Sequence, residues 1–363
     1  MVKHRLPANA MVPRHKRPGD RSPLEAGYAR LRPGAMPMTR RAALASFAAC
    51  LAAPAVLASE MRFTHAYGET ILPRPAGRVV SLGYTTQDTL LALGTPPVAI
   101  RQWYGNFAFG VWPWAQHLLN GAQPALIAGE VSMEVVASLA PDLIVGINSG
   151  ISQAEYAVLS RIAPVLMHEP GRSAYGTPWD EMTRTLGRAL GRGDDAERLI
   201  AQTRQRFAEA QARHRAWPGQ TAVAAYHWSG RTGAFIGTDT RARFLAELGF
   251  RPTPGVMRLT GAQGFYGDLS PEDLSPLDAD VLIWISSFES VPDLVALPMR
   301  RTLRAYREGR EVFAGPLLAG AMSFGSVLSL PFALSKLEDD IAAASDGLPE
   351  TVVASAKAAG LAP

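Results

Sequence analysis

One cysteine, Cys50, occurs in 363 residues, so no internal disulfide can brace the fold. No Gly-x-Ser-x-Gly elbow is present; Gly146-Ile-Asn-Ser-Gly150 is out of register, which speaks against an exported α/β hydrolase. The first buried run, Arg78–Leu82, leads into Gly83-Tyr-Thr-Thr and not into a glycine-rich phosphate loop, so a nucleotide cofactor is disfavoured. Histidines 65, 117, 168, 214 and 227 are scattered without ligand spacing, against a bare zinc or manganese carrier and against a metal hydrolase. No apolar run reaches the roughly 20 residues that span a bilayer. A non-catalytic chain is expected, with no resident metal or cofactor and a soluble mature form.

A net positive charge is also lacking outside the leader. Residues 1–58 hold ten of the 36 Lys and Arg and two of the 32 acids, leaving 26 bases against 30 acids in the remainder. The net charge of +4 therefore becomes −4 without the leader, and nucleic-acid binding is not expected. Within the leader, Thr39-Arg40-Arg41, an apolar run from Ala42 to Leu57 and Val56-Leu-Ala58 read as a secretory signal. The paired arginines resemble the twin-arginine type, with Ala43 where Phe is usual. Residues 1–35 are Arg/Pro-rich and patternless, so translation from Met1, Met36 or Met38 stays open. Phe47-Ala-Ala-Cys50 is a poor lipoprotein box beside the better cleavage site at Ala58, so a lipid anchor at Cys50 is not expected and a periplasmic protein starting at Ser59 is.

What is present is a repeat around a rod. Asp194–His214 carries Ala196, Leu199, Ile200, Thr203, Phe207 and Ala210 at helical spacing, bracketed by Gly193 and Pro218. Before it stands Ser132-Met-Glu134…Leu139…Asp142-Leu-Ile; after it, Ser270-Pro-Glu272…Leu277…Asp280-Val-Leu. The expected fold is α/β: two Rossmann-like lobes (59–177 and 218–347) joined by a helical linker (178–217), with a tail at 348–363 and the ligand between the lobes. Phe324–Ala344 is expected as one closing helix bent at Pro331. A loop from Arg101 to Trp114 concentrates rings at a strand end. Trp103 and Tyr104 are expected to wall a pocket there, with Trp112 and Trp114 in the core. Arg241 and Arg243 open a helix, where cations oppose the dipole; an anionic partner or a surface salt bridge would each explain them.

Several stretches then resemble a known family. Ser132-x-Glu134…Pro141-Asp-Leu-Ile144, Tyr104-Gly…Gly110-Val-Trp-Pro-Trp-Ala115, Arg243-Phe-Leu…Leu248-Gly-Phe250 and Ser323-Phe…Ser326-Val-Leu-Ser-Leu-Pro331 are similar to periplasmic ferric-siderophore-binding proteins, the helix-linked class that includes cobalamin binders. The likeness spans about residues 60–345. It implies a monomeric, non-enzymatic carrier that captures a ferric siderophore and passes it to the permease of an inner-membrane ABC importer. By motif position Glu134 and Glu272, one per lobe, would dock on the permease, although an acid in a first helical turn also stabilises its helix by about 0.3–1 kcal/mol without a partner. A chelate brings its own iron ligands, so rings and cations suffice to hold it. Tyr84, Arg101, Trp103, Tyr104, Trp228, Arg231, Arg243 and Phe324 are the expected contacts. Several cations would suit an anionic catecholate or carboxylate chelate and a mostly aromatic wall a hydroxamate; the Trp112-Pro-Trp114 loop favours a catecholate or mixed chelate. Haem or cobalamin carriage is the alternative, with Tyr84, Tyr104 or His227 as an axial ligand. A stiff linking helix further implies that the lobes close little on binding.

Overall fold

Short runs of Val, Ile, Leu and Ala bounded by Gly and Pro form strands buried on both faces, the pattern of a covered parallel sheet. The computed structural model describes residues 60–261, 264–287 and 291–362; the expectations for the leader and Cys50 fall outside them. A hairpin of β1 (Met61–His65) and β2 (Gly68–Leu72) leads into the first lobe. There β3 (Val79–Ser81), α1 (Thr86–Ala92), β4 (Ala99–Arg101), β5 (Ala125–Ile127), α2 (Met133–Ser138), β6 (Leu143–Val145), α3 (Gln153–Leu159) and β7 (Val165–Leu166) build a parallel sheet of order β5-β4-β3-β6-β7.

Two helices follow, α4 (Trp179–Ala189) and the 21-residue α5 (Gly193–Arg213). At 1.5 Å per residue α5 is about 31 Å long. Its Ala196 joins the first lobe's core, whereas Ile200, Phe207 and Ala210 join the second's. The region expected as one linker is thus divided: Met182, Leu186 and Ala189 of α4 pack into the first lobe, and α5 does the crossing.

The second lobe contains β8 (Ala222–Trp228), β9 (Arg231–Phe235), α6 (Thr240–Glu247), β10 (Tyr266–Asp268), β11 (Val281–Ile285), β12 (Glu311–Ala314), α7 (Pro316–Phe324) and α8 (Ser329–Ser345). Its order, β10-β9-β8-β11-β12, repeats that of the first sheet, but β9 runs antiparallel. Ser229 (φ 53) and Gly230 (φ 75) make a two-residue turn that folds the chain straight back where the first lobe inserts a helix.

The sequence repeat has a structural job at its aspartates. Asp142 accepts hydrogen bonds from the backbone N–H of Gly77 and Arg78 (3.0 and 2.7 Å) at the head of β3. Asp280 accepts from the N–H and hydroxyl of Thr221 (both 2.9 Å) at the head of β8. Each carboxylate ties a lobe's fourth strand to its first. The repeat fails between serine and leucine: α2 has no counterpart, because Pro271 and Pro276 reduce Glu272–Leu277 to a turn and a single 3-10 stretch. The expected bend at Pro331 is also absent. Pro331 lies in the first turn of α8, where a missing N–H costs nothing, and the break is at Gly325 (φ 54), where a Cβ would meet the Thr240 methyl at 2.5 Å. Finally, residues 348–362 of the tail pack onto the second lobe. Val353, Ala356 and Leu361 are buried, the Phe313 N–H on β12 donates to Ser355 (3.1 Å), and buried Arg300 donates to the Leu361 carbonyl.

Candidate functional site

The carboxyl ends of the first sheet's strands present a connected set of rings. Tyr84 follows β3 and Trp103 follows β4, with ring centroids 5.8 Å apart; Trp103 meets Tyr104 edge-on at 4.7 Å. Tyr175, from the loop after β7, stacks on Tyr84 (6.4 Å, 18°), and its hydroxyl fills the space that a Cβ at Gly150 (φ 69) would need. Trp103 and Tyr175 are 40% and 44% exposed, so these faces are open to a ligand. The Arg101 guanidinium lies 4.6 Å over the Tyr84 ring and donates to the carbonyls of Ser149 (3.0 Å) and Gly129 (3.4 Å).

The second lobe answers with its own rings. Trp228, at the end of β8, is 57% exposed. Across the hairpin from it, Arg231 pairs with Asp268, which also accepts from the Tyr226 hydroxyl at 2.6 Å. Those two donors hold the Asp268 carboxyl below its usual range, and burial together with Asp268 pushes the Tyr226 hydroxyl up. Tyr226 contacts Phe235 (5.2 Å) and Tyr266 (6.0 Å). Arg241 stacks 3.7 Å over Phe235, is gripped by both Asp239 oxygens (2.8 and 2.6 Å) and donates to the Ser323 hydroxyl (3.1 Å). Asp239 also caps α6 by accepting from the Arg241 N–H, so the cation at this helix start is neutralised within the chain.

The two halves meet at Tyr104. Its hydroxyl faces Ser323 and Ser287 of the second lobe, and burial raises its pKa. Beneath lies an apolar floor: Phe324, 2% exposed, touches Trp103, Trp112 and Trp114 with centroids 5.3–5.7 Å away. Trp112 and Trp114 are buried, as their sequence context suggests, but Phe324 is a core residue and not the exposed contact expected of it. Asp88 of α1 joins the floor. It is fully buried, and one oxygen accepts from Trp114 Nε1 and from the Ser326 hydroxyl of the other lobe, each at 2.7 Å. Burial outweighs those two donors and raises its pKa to about 6.

The structure therefore brings Tyr84, Arg101, Trp103 and Tyr104 together, and sets Trp228 and Arg231 on the second lobe. Arg243 does not join them. Two residues from Arg241, it falls on the other side of α6 and lines a depression with Trp179, Arg204, Gln211 and Glu247 against α4 and α5. Of the axial ligands that haem would need, Tyr104 has a buried hydroxyl and His227 Nδ1 lies 2.7 Å from the Thr232 hydroxyl. A cavity of about 620 Å³ opens on the flank of the second sheet; it is walled by Val223, Leu245 and Phe250, away from the strand ends. Glu134 and Glu272 are exposed and, among the described residues, in no ion pair; Ser132 accepts from the Val135 N–H and Ser270 from the Glu272 N–H, both at 3.3 Å. Tyr175 and Arg241 stand beside the site's rings although neither is among the contacts expected from sequence. A tyrosine in a Gly/Pro loop after the last strand is the available signal for Tyr175, whereas the choice of Arg241 over Arg243 needs the rotation of α6.

Comparison with known proteins adds a lineage. The model of the periplasmic binding protein family matches residues 79–316. A periplasmic solute binding protein from Mycobacterium smegmatis is 35% identical, with a TM-score of 0.69 over 78% of this chain and 98% of its own. The probable siderophore-binding lipoprotein YfiY of Bacillus subtilis is 27% identical over 230 residues, 61% of this chain and 67% of that protein. Streptococcus pneumoniae PiaA, solved in complex with ferrichrome, shares the fold at 22% identity and a TM-score of 0.67, over 79% of this chain and 99% of its own.

Proposed function

The chain belongs to the periplasmic binding protein family, and from that premise we propose that it captures a ferric siderophore outside the cytoplasm and hands it to an inner-membrane ABC importer. The observation that carries this is the double set of exposed rings. Trp103 and Tyr175 on one lobe and Trp228 and Tyr266 on the other are each open to solvent yet held by neighbours. Such faces suit a preformed chelate, whose iron needs no ligand from the protein, and they offer no group arranged for bond-breaking. Tyr84, Arg101, Trp103, Trp228 and Arg231 are the proposed contacts; Tyr104 is a support that joins the lobes. The protein acts as a monomer in the periplasm. Cleavage after Ala58 removes Cys50, whose setting behind Phe47 fits a lipoprotein box poorly even though the Bacillus relative carries a lipoprotein name.

Glu134 and Glu272 are the proposed docking points for the permease, since each is exposed, in no ion pair among the described residues and carried by a different lobe. The paired change Glu134→Ala and Glu272→Ala leaves chelate affinity, read by tryptophan quenching, within about twofold of the parent and abolishes uptake of the iron complex by cells. Uptake at the parental rate would refute the docking role; absence of quenching by any ferric siderophore would refute the carrier role itself.

A further inference from the structure

The guanidinium groups at the site are already engaged by the chain's own acids, and that restricts the charge of what can bind. Arg231 is paired with Asp268, and Arg241 is held through two of its nitrogens by Asp239, with the third donating to Ser323. Only Arg101 is in no ion pair among the described residues of the site. Even there Ser149 and Gly129 carbonyls occupy two nitrogens, and Glu155 lies close enough for Arg101 to contribute to holding its carboxyl low. Beyond residue 58 the chain has just two lysines, Lys336 and Lys357, both on C-terminal helices, and residues 262–263 and 288–290 contain no Lys or Arg. The site thus presents aromatic faces and at most one positive charge without a carboxylate partner.

We infer, resting on the carrier reading above, that the chelate taken here is of low net charge, of the ferric trihydroxamate kind. Three hydroxamates, each a monoanion, neutralise a ferric ion. Three catecholates, each a dianion, leave a trianion, which would need several free cations in place of paired ones. The Trp112-Pro-Trp114 loop offers a ligand no exposed indole face, since both rings are buried in the floor. Because Asp239 and Asp268 neutralise Arg241 and Arg231, a trianion meets near-neutral pairs at the very points where attraction is required.

The test is a quenching titration of the protein's tryptophans with a neutral ferric trihydroxamate and, separately, a ferric tricatecholate, at low and high salt. The neutral chelate is expected to bind at least about tenfold more tightly, with an affinity that salt changes by less than about twofold. In Asp268→Asn, where Arg231 loses its acid at an exposed position, the preference for the neutral chelate is expected to narrow by about tenfold. Tighter binding of the tricatecholate, weakened by salt, would overturn the charge inference while upholding siderophore carriage. An unchanged preference in Asp268→Asn would overturn the masking role of that carboxylate. Failure of both chelates to quench would overturn carriage and the inference together.

Discussion

Replacing Asp88 with Asn removes a charge from the buried seam between the lobes while keeping the shape of the side chain. Asp88 is fully buried; one oxygen accepts from Trp114 and Ser326, and the other has no hydrogen-bond partner among the described residues. Its pKa rises from 3.8 to about 6, mainly through desolvation. The folded state therefore holds the proton more tightly than the unfolded one. The associated stability is fully present below the unfolded pKa and is lost as pH rises through the folded value. With each pKa step near 1.4 kcal/mol, the ionised form costs about 3 kcal/mol at pH 7 and about half that at pH 5. The amide that replaces the carboxyl does not titrate, so the difference between parent and variant isolates this group from every other acid. Urea unfolding at pH 4, 5, 6 and 7 should show the parent losing about 2–3 kcal/mol relative to Asp88→Asn from the acid end to neutrality. A difference that stays constant with pH would refute the reasoning, since it would mean that Asp88 has the same pKa in the folded and unfolded chain.

Other regions carry their own tests. Arg300 and Glu311 form a bidentate pair, each 2% exposed, that also receives Trp284 Nε1 and anchors the C-terminal segment through Leu361. Arg300→Met should destabilise by about 3–5 kcal/mol in chemical unfolding by stranding Glu311; Arg300→Met with Glu311→Leu should recover most of the loss, and an additive double variant would deny the coupling. The lobes should close little on ligand, so scattering with and without a bound ferric chelate should give radii of gyration within about 1 Å; a larger contraction would refute the rigid arrangement.

Much of this architecture can be read from spacing. The rod is legible to within one residue at each end because its apolar face recurs at helical period and glycine and proline bracket it. The parallel first sheet is legible for the same reason. The reversed β9 is not, although Ser229-Gly230 is a turn signal, because the alternation of strand and helix in the rest of the chain suggests another crossover. At the site, exposed Trp103 and Trp228 and buried Trp112 and Trp114 follow from position relative to a strand end. Non-local facts are out of reach. Thr86-Gln-Asp-Thr89 reads as a polar helix start, yet all four residues are buried: Thr86 bonds Ser81 and Gly83 within its own lobe, and Asp88 accepts from Ser326 of the other. That Phe324 faces three tryptophans and that Asp268 masks Arg231 likewise depend on segments far apart in sequence.

The lobes are fastened on two sides, and this decides what can move. At the back, α5 shares its buried face between both cores, and Trp179 Nε1 of α4 donates to Glu247 of α6 at 2.8 Å. At the floor, Asp88 accepts from Ser326, and the Phe324 ring is enclosed by Trp103, Trp112 and Trp114. A rotation that closes the site about either fastening must shear the other. Each buried hydrogen bond to a carboxylate lost in that way costs about 1.5–3 kcal/mol, before any apolar contact is counted. A chelate bound at micromolar strength supplies about 8 kcal/mol in all, so little would remain for recognition if closure had to break both. Adaptation to the ligand is therefore expected in the exposed side chains of Tyr175 and Trp228, which take no part in either fastening. A permease that grips one acid on each lobe would then meet nearly the same spacing of Glu134 and Glu272 with and without cargo. Discrimination between loaded and empty carrier must come from the rims of the site and not from the distance between the docking points.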